Sequence, residues 1–292
     1  MTEFELKALQ NVQMQIMDDI HRVCLENSLR YYLIGGSAIG AVRHNGIIPW
    51  DIDVDIAMPR KDYESFIKIA PLYLNPRYEL HDYRTDKDFG TYHALVVLKE
   101  STLIFKSEVG SNKKNRFGIF VDVLPLDQWP EDERLMKKQI RKHNRLKLIR
   151  YYWHEEASRT GSLPKRIGKR VLSKVLHAFV SLYTLNKYEQ KIIMEYNTPD
   201  EGTLWCSKLS HYSMERLTMP KTVFGTPKLH DFSGRQYYVP EDVTAYLTHL
   251  FGDYMKIPSI EKQKGQINSV YYARWKDDKG METIIDCSKE QL

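Results

Sequence analysis

The chain has little of what would tie it to an export route or a membrane. It holds three cysteines, Cys24, Cys206 and Cys287, scattered and odd in number. That excludes a disulfide framework and a clustered zinc site, and it fits reduced thiols in a cytoplasmic protein. No apolar run approaches the roughly 20 residues that cross a bilayer. The N-terminal MTEFELKALQ is acidic and amphipathic, so a secretory leader is not expected. No Pro/Gly/Ser-rich linker, internal repeat or low-complexity tract interrupts the 292 residues. One compact unit is therefore expected, a catalytic core with elaborations. With 42% hydrophobic and 28% charged residues, the composition is that of a globular protein.

What is present is unevenly charged. The net charge is +5, but Arg134 to Lys174 alone carries 14 Lys/Arg against two acids, Glu155 and Glu156. Two solvated helices with basic outer faces would account for this. So would contact with an anionic partner, such as a phosphorylated lipid carrier or the inner face of the cell membrane. The stretch contains no readable nucleic-acid motif, and no nucleic-acid partner is expected.

Periodicity divides the chain into an α/β part (1–127), a basic helical part (128–200) and a smaller mixed part (201–292). Residues 4–27 space their apolar side chains helically, from Phe4 to Val23. RYYLI (30–34) reads as a short buried strand running into Gly35-Gly36-Ser37, with Ser37 as N-cap of a short helix, SAIGAVRH. A helix is expected from Arg60 to Leu72, just after Pro59. Strands are expected at 91–99, 102–106 and 117–127. YYVP (237–240) should lead into a helix, EDVTAYLTHLFG, ended by Gly252.

The most informative stretch is PWDIDVDIAMPR. Asp51, Asp53 and Asp55 alternate with Ile52, Val54 and Ile56. That is the strand period, so the carboxylates share one face and the aliphatics the other. Three like charges so close raise one another's pKa and cost stability, which a bound cation would relieve. Oxygen-only ligands favour a hard ion, Mg²⁺ or Mn²⁺. An EF-hand loop through Asp51, Asp53, Asp55 and Asp62 fails, because Ile56 stands where glycine is required. A solvated edge strand remains the plain alternative.

A strand, a Gly-Gly-Ser turn and a helix start can present backbone N–H groups to a phosphate. Alone this is only a tight turn; the acidic run some 15 residues on gives it weight. A phosphate cradle beside a divalent-metal face describes phosphoryl or nucleotidyl transfer. Asp122, set among Phe, Val and Leu, is the candidate third carboxylate, since a lone acid there needs a partner. Asp127, after Pro125, reads as a cap or turn residue. Arg43 and His44 end the short helix, where cations suit the dipole or reach a phosphate. Lys99 at a strand end carries the same two readings. Trp50 either stacks on a base or wedges the turn.

The stretch YYLIGGSAIGAVRHNGIIPWDIDVDIAMPRKDYESF resembles the signature block of the LicD cholinephosphotransferase family, related to fukutin-type proteins. Downstream, VDVLPLD resembles that family's second acidic strand, and YVPEDVTAYLTHLFGDYMKIP its C-terminal block. The resemblance implies a single domain with a nucleotidyltransferase-like core and a mixed sheet. It implies transfer of a phospho-alcohol from a CDP-activated donor, CDP-choline first, to a sugar hydroxyl of a surface glycan or its lipid-linked precursor. It assigns Gly36, Ser37, Arg43, His44 and Lys99 to donor phosphate. It assigns Asp53, Asp55 and Asp122 to the metal and the chemistry. Asp51, nearest the turn, is an entry residue or a further ligand. Three departures stand out: Ile52 in place of a middle aspartate, Phe232-Ser233-Gly234 where members carry Phe-Glu-Gly, and no His-containing tail after Pro258. A nucleotidyltransferase acting on an NTP and a non-catalytic nucleotide-binding protein are the alternative readings.

Overall fold

The computed structural model describes residues 1–109, 117–154, 162–197, 202–207 and 212–288. The first part gives α1 (Glu3–Glu26), β1 (Tyr32–Leu33), α2 (Gly35–His44), β2 (Asp55–Pro59), α3 (Arg60–Tyr73), β3 (Tyr78–His81), β4 (Ala94–Leu98), β5 (Thr102–Phe105) and β6 (Phe120–Trp129). The middle is helical, with α4 (Glu133–His154), α5 (Leu163–Phe179) and α6 (Leu182–Ile193). The last part gives β7 (Leu204–Ser207), β8 (Thr218–Pro220), α7 (Lys221–Phe224), β9 (Lys228–Phe232), β10 (Arg235–Val239), α8 (Val243–Phe251), α9 (Ile260–Ile267), β11 (Val270–Lys276) and β12 (Glu282–Asp286). This is the expected mixed α/β class.

The main sheet runs β1-β2-β6-β4-β3 and continues from β6 through β7 to β8. β6 is its hub. β2 lies parallel to it, β4 pairs antiparallel with its first half, and β7 with its last residues. The sheet therefore reaches beyond residue 127, and the segment after 201 supplies strands to it. β11 also reaches back to pair with β5 in a second sheet.

Alternation along β2 and β6 sorts side chains onto two cores. Ile56, Met58, Val121 and Val123 join α1 and α3 on one face. Ala57, Leu124 and Leu126 join α2 and α8 on the other. α1 begins with a capping box, in which Thr2 and Glu5 satisfy each other's backbone N–H groups; it buries the stripe from Leu6 to Val23, whereas Phe4, expected to begin that stripe, is exposed. α8 starts at the Asp242 cap and ends at Gly252, whose φ of 67° needs glycine. Phe232-Ser233-Gly234 proves to be the β9–β10 hairpin turn, with Ser233 and Gly234 both at positive φ.

In the basic middle part, α4 and α6 share a small core of Leu146, Leu182, Leu185 and Ile192. Residues 155–161 of that stretch, with Glu155, Glu156 and Arg159, lie outside the described residues. No described helix is long and apolar enough to cross a membrane. All three cysteines are buried and unpaired.

Candidate active site

α2 begins three residues earlier than the sequence suggested. Its N-cap is Ile34, with no side-chain cap, so Ser37 is not the capping residue. Ser37 instead turns inward, where its Oγ accepts the N–H of Asp55 at 2.9 Å and ties α2 to the start of β2. The two glycines have separate jobs. Gly35 takes a φ of 56°, which favours glycine, and its N–H donates to the Tyr246 hydroxyl at 3.0 Å. Gly36 leaves room for a carboxylate: a Cβ there would stand 2.7 Å from Asp51 Oδ2.

Regular pairing of β2 starts only at Asp55, so residues 51–54 are extended chain ahead of the strand rather than part of it. The alternation nevertheless holds. Ile52, Val54 and Ile56 are buried in the core, while Asp51, Asp53 and Asp55 line one cavity of about 830 Å³. Asp122 joins them from β6, in register with Asp55. The Asp51 carboxyl neighbours that of Asp53, and the Asp55 carboxyl that of Asp122.

Burial, followed by the charges of Asp55 and Asp51, holds the Asp53 carboxyl well above the usual aspartate range. Burial and then the Asp122 charge do the same at Asp55. Asp51 is also pushed up by burial, against the hydrogen bonds from Asp53 and the Ile52 N–H. Among the described residues no lysine or arginine pairs with any of these three. Four oxygen-donor acids gathered with no lysine or arginine partner among the described residues suit a hard divalent cation by chemistry. No three acidic, His or Cys side chains among the described residues are already arranged to hold one. The carboxylates would have to turn toward it.

His93 was not singled out in the sequence. It stands just ahead of β4, and its Nε2 hydrogen-bonds Asp122 Oδ1 at 2.7 Å, while its Nδ1 is buried with no hydrogen-bond partner. Its loop is held from behind by α6: Asn186 Nδ2 donates to the Phe89 carbonyl, and Gln190 Nε2 to that of Tyr92. The signal was there, a polar ring at the head of an apolar strand (TYHALVVLK), but the pairing that brings it to Asp122 is tertiary.

Much of the remaining lining is basic and aromatic, with Asp253 among it, and it comes largely from the C-terminal part. Arg216, Lys256 and Lys262 belong to it with Tyr212, Phe251 and Tyr254. Arg43 joins it from α2. Its Nη1 donates to the carbonyls of Tyr254 (2.6 Å) and Lys256 (3.2 Å), and its guanidinium lies 5.8 Å from the Trp50 ring. Burial lowers the Arg43 pKa. Trp50 both wedges the turn, buried in the α2–α8 core, and lines the cavity. The sequence block YVPEDVTAYLTHLFGDYMKIP held Tyr254 and Lys256, but only the fold brings it against the acidic run.

Besides Ser37, two expected donor-binding residues, Lys99 and His44, do not line the cavity. Lys99 follows β4 at the end away from Asp122, is exposed, and donates from Nζ to the Pro76 carbonyl at 2.8 Å. Five residues of strand set it roughly 17 Å from the His93 end. His44 does not line the cavity; it packs edge-on to Trp50, and burial and then Arg43 lower its pKa. Asp127 is neither a cap nor a turn residue. Five positions after Asp122 on β6, it faces the other side of the sheet, where Arg60 of α3 binds it through Nε (2.7 Å) and Nη2 (2.5 Å).

Residues 28–160 match the family model described as LicD/FKTN/FKRP, nucleotidyltransferase domain. Over that segment the chain is similar to the LicD family. The matched segment holds the glycine pair, the acidic run, His93 and Asp122, so all four of the gathered aspartates fall within it. Over 270 residues the chain is 28% identical to the lipopolysaccharide cholinephosphotransferase LicD of Haemophilus influenzae, covering 90% of this chain and 96% of that protein. It is 31% identical over 118 residues to the uncharacterized protein RP689 of Rickettsia prowazekii, 40% of each chain. A stretch of 34 residues, 12% of this chain and 7% of the relative, is 56% identical to the human ribitol 5-phosphate transferase FKRP. The first of these similarities runs through the C-terminal part that supplies much of the basic lining as well as through the matched segment.

Proposed function

We propose that this protein transfers a phosphorylated alcohol, phosphocholine from CDP-choline in the first instance, to a sugar hydroxyl of a cell-surface glycan or its lipid-linked precursor. The observation that carries this is one cavity lined both by the Asp51, Asp53, Asp55 and Asp122 carboxyls and by arginine, lysine and aromatic side chains. A diphosphate donor needs both: cations for its oxygens, and a place for its base to stack. The names of the H. influenzae and human relatives support the class of group transferred.

In this reading the acceptor hydroxyl oxygen bonds to the distal phosphorus, the bond from that phosphorus to the bridging oxygen breaks, and CMP leaves. Asp122, oriented by His93, is placed to take the hydroxyl proton. Arg43, Arg216 and Lys256 hold the donor diphosphate, and Trp50 and the lining tyrosines shield it from water. Asp53, Asp55 and Asp122, with Asp51 beside them, would hold Mg²⁺ or Mn²⁺. That ion, when bound, supplies charge neutralisation at the phosphate oxygens. Positioning and electrostatics carry the acceleration.

The test is CMP release from CDP-choline with acceptor and Mg²⁺. Asp53→Ala and Asp55→Ala should abolish it, and wild-type rates in either variant would overturn the assignment. A thermal-shift panel of CDP-choline, CDP-ethanolamine, CDP-glycerol and CDP-ribitol identifies the donor, since a ligand that binds only the folded state raises its midpoint. The family model's description favours one second reading, transfer of a nucleotidyl group from an NTP. Its product would be pyrophosphate in place of CMP.

A further inference from the structure

α5 turns its apolar stripe away from the protein. Leu163, Ile167, Val171, Val175 and Phe179 follow one another at four-residue intervals, which keeps them in one slowly drifting row along the helix. All five are exposed, from 48% at Val175 to 84% at Phe179. The opposite side of the helix packs on α4: Ser173 is buried, Lys169 lies over the Tyr151 ring, and His177 stacks on Trp153. An amphipathic surface helix ordinarily does the reverse, with its apolar face on the core and its polar face in water. A row of this length left in water marks a surface that meets something.

The charge of the same helix says what. Lys165, Arg166, Lys169, Arg170 and Lys174 give α5 five basic residues, and it has no Asp or Glu. Lys165, Arg170 and Lys174 are exposed beside the apolar row. A second copy docking on this face would bring two unbalanced basic helices together. An anionic bilayer surface takes both features at once, with acyl chains for the row and phosphate headgroups for the flanking cations.

We infer that α5 is a membrane-surface anchor, lying in the plane of an anionic lipid leaflet with Leu163, Ile167, Val171, Val175 and Phe179 buried at the headgroup boundary. None of these residues lines the cavity, so the inference stands or falls separately from the reaction. It also supplies a location. The helices that brace the His93 loop and the helix that meets lipid belong to one α4–α6 unit, which would hold the cavity beside lipid-linked substrates.

The experiment is flotation of the full chain with vesicles. The protein should rise with vesicles of mixed phosphatidylcholine and phosphatidylglycerol, stay behind with phosphatidylcholine alone, and be released progressively by salt. Ile167→Glu with Val171→Glu should lower the floating fraction at least about tenfold, from the lost burial of two aliphatic side chains. Its thermal midpoint and its CMP release with a water-soluble acceptor should be unchanged. Arg170→Glu with Lys174→Glu, a change confined to exposed charges, should abolish the preference for the anionic vesicles. Wild-type protein that ignores anionic vesicles, or an Ile167→Glu/Val171→Glu variant that floats like wild type, overturns the inference. So does a wild-type dimer that this variant converts to monomer without any flotation, because a second copy would then be the occupant.

Discussion

Asp55 and Asp122 stand directly opposite each other on neighbouring parallel strands, with their carboxyls side by side. Two acids so placed cannot both ionise without a cost that the fold must carry. Replacing one by its uncharged near-isostere removes that cost and the chemistry together. Asp55→Asn should therefore raise the metal-free stability. CMP release should fall by roughly 10²–10³-fold or more, as when a charge-stabilising group is removed from other active sites. Thermal melts and turnover on the same preparations check this. A variant that is both less stable and fully active would sink the assignment.

The same cluster sets a pH dependence. The Asp53 and Asp55 carboxyls are held above the usual aspartate range, so the folded state binds protons there that the unfolded state has released. Their contribution to stability is complete below the usual aspartate range and is lost as pH rises through the raised values. A divalent cation competes for the same oxygens, so its stabilisation grows as the protons leave. Millimolar Mg²⁺ should raise the thermal midpoint more at pH 8 than at pH 5, and the difference should vanish in the Asp53→Asn/Asp55→Asn double variant. Equal shifts at the two pH values would rule the cluster out as the metal site.

His93 touches Asp122 from the side away from Asp55's strand, because β4 flanks β6 opposite β2. Its role in this reading is to hold the carboxylate, so His93→Ala should lower kcat about 10- to 100-fold, the usual loss when a ligand's supporting hydrogen bond is removed. The donor KM should change little. His93→Gln can present an N–H near the position of Nε2, so it should recover part of the rate. If the alanine variant loses donor affinity and keeps kcat, His93 binds substrate instead.

Much of this site was legible in the chain before any fold was known. The alternation at Asp51, Asp53 and Asp55 is local, and local periodicity decides which side chains share a face, even though the regular strand begins only at Asp55. The glycine pair was legible as a place where the backbone must be bare; that Gly36 makes room for the Asp51 carboxylate was not. What escaped depended on pairing across long stretches of sequence. His93 meets Asp122 through β4–β6 register, and Arg216, Lys256 and Lys262 complete the cavity from more than 150 residues away. For Lys99 and Ser37 the side chain is taken up by a backbone group, which the sequence could not show: the Pro76 carbonyl for Lys99, and the Asp55 N–H for Ser37.

Asp127 provides the sharpest contrast with Asp122, since the two acids share a strand and differ in face. Asp127 is buried against Arg60, with side-chain exposures of 6% and 11%, in a two-pronged contact that Glu64 and Gln190 extend. Removing one partner of such a pair leaves a buried charge without compensation, which costs about 3–5 kcal/mol. Asp127→Ala should therefore lower the thermal midpoint by several degrees or more, whereas Asp122→Asn, which removes a like charge beside Asp55, should not lower it. Turnover should divide the other way. Asp127→Ala, measured per folded molecule at low temperature, should retain most of its CMP release, and Asp122→Asn should lose it. Melting curves and rates on the two variants side by side decide the matter. Loss of activity in well-folded Asp127→Ala would place that acid in the reaction after all.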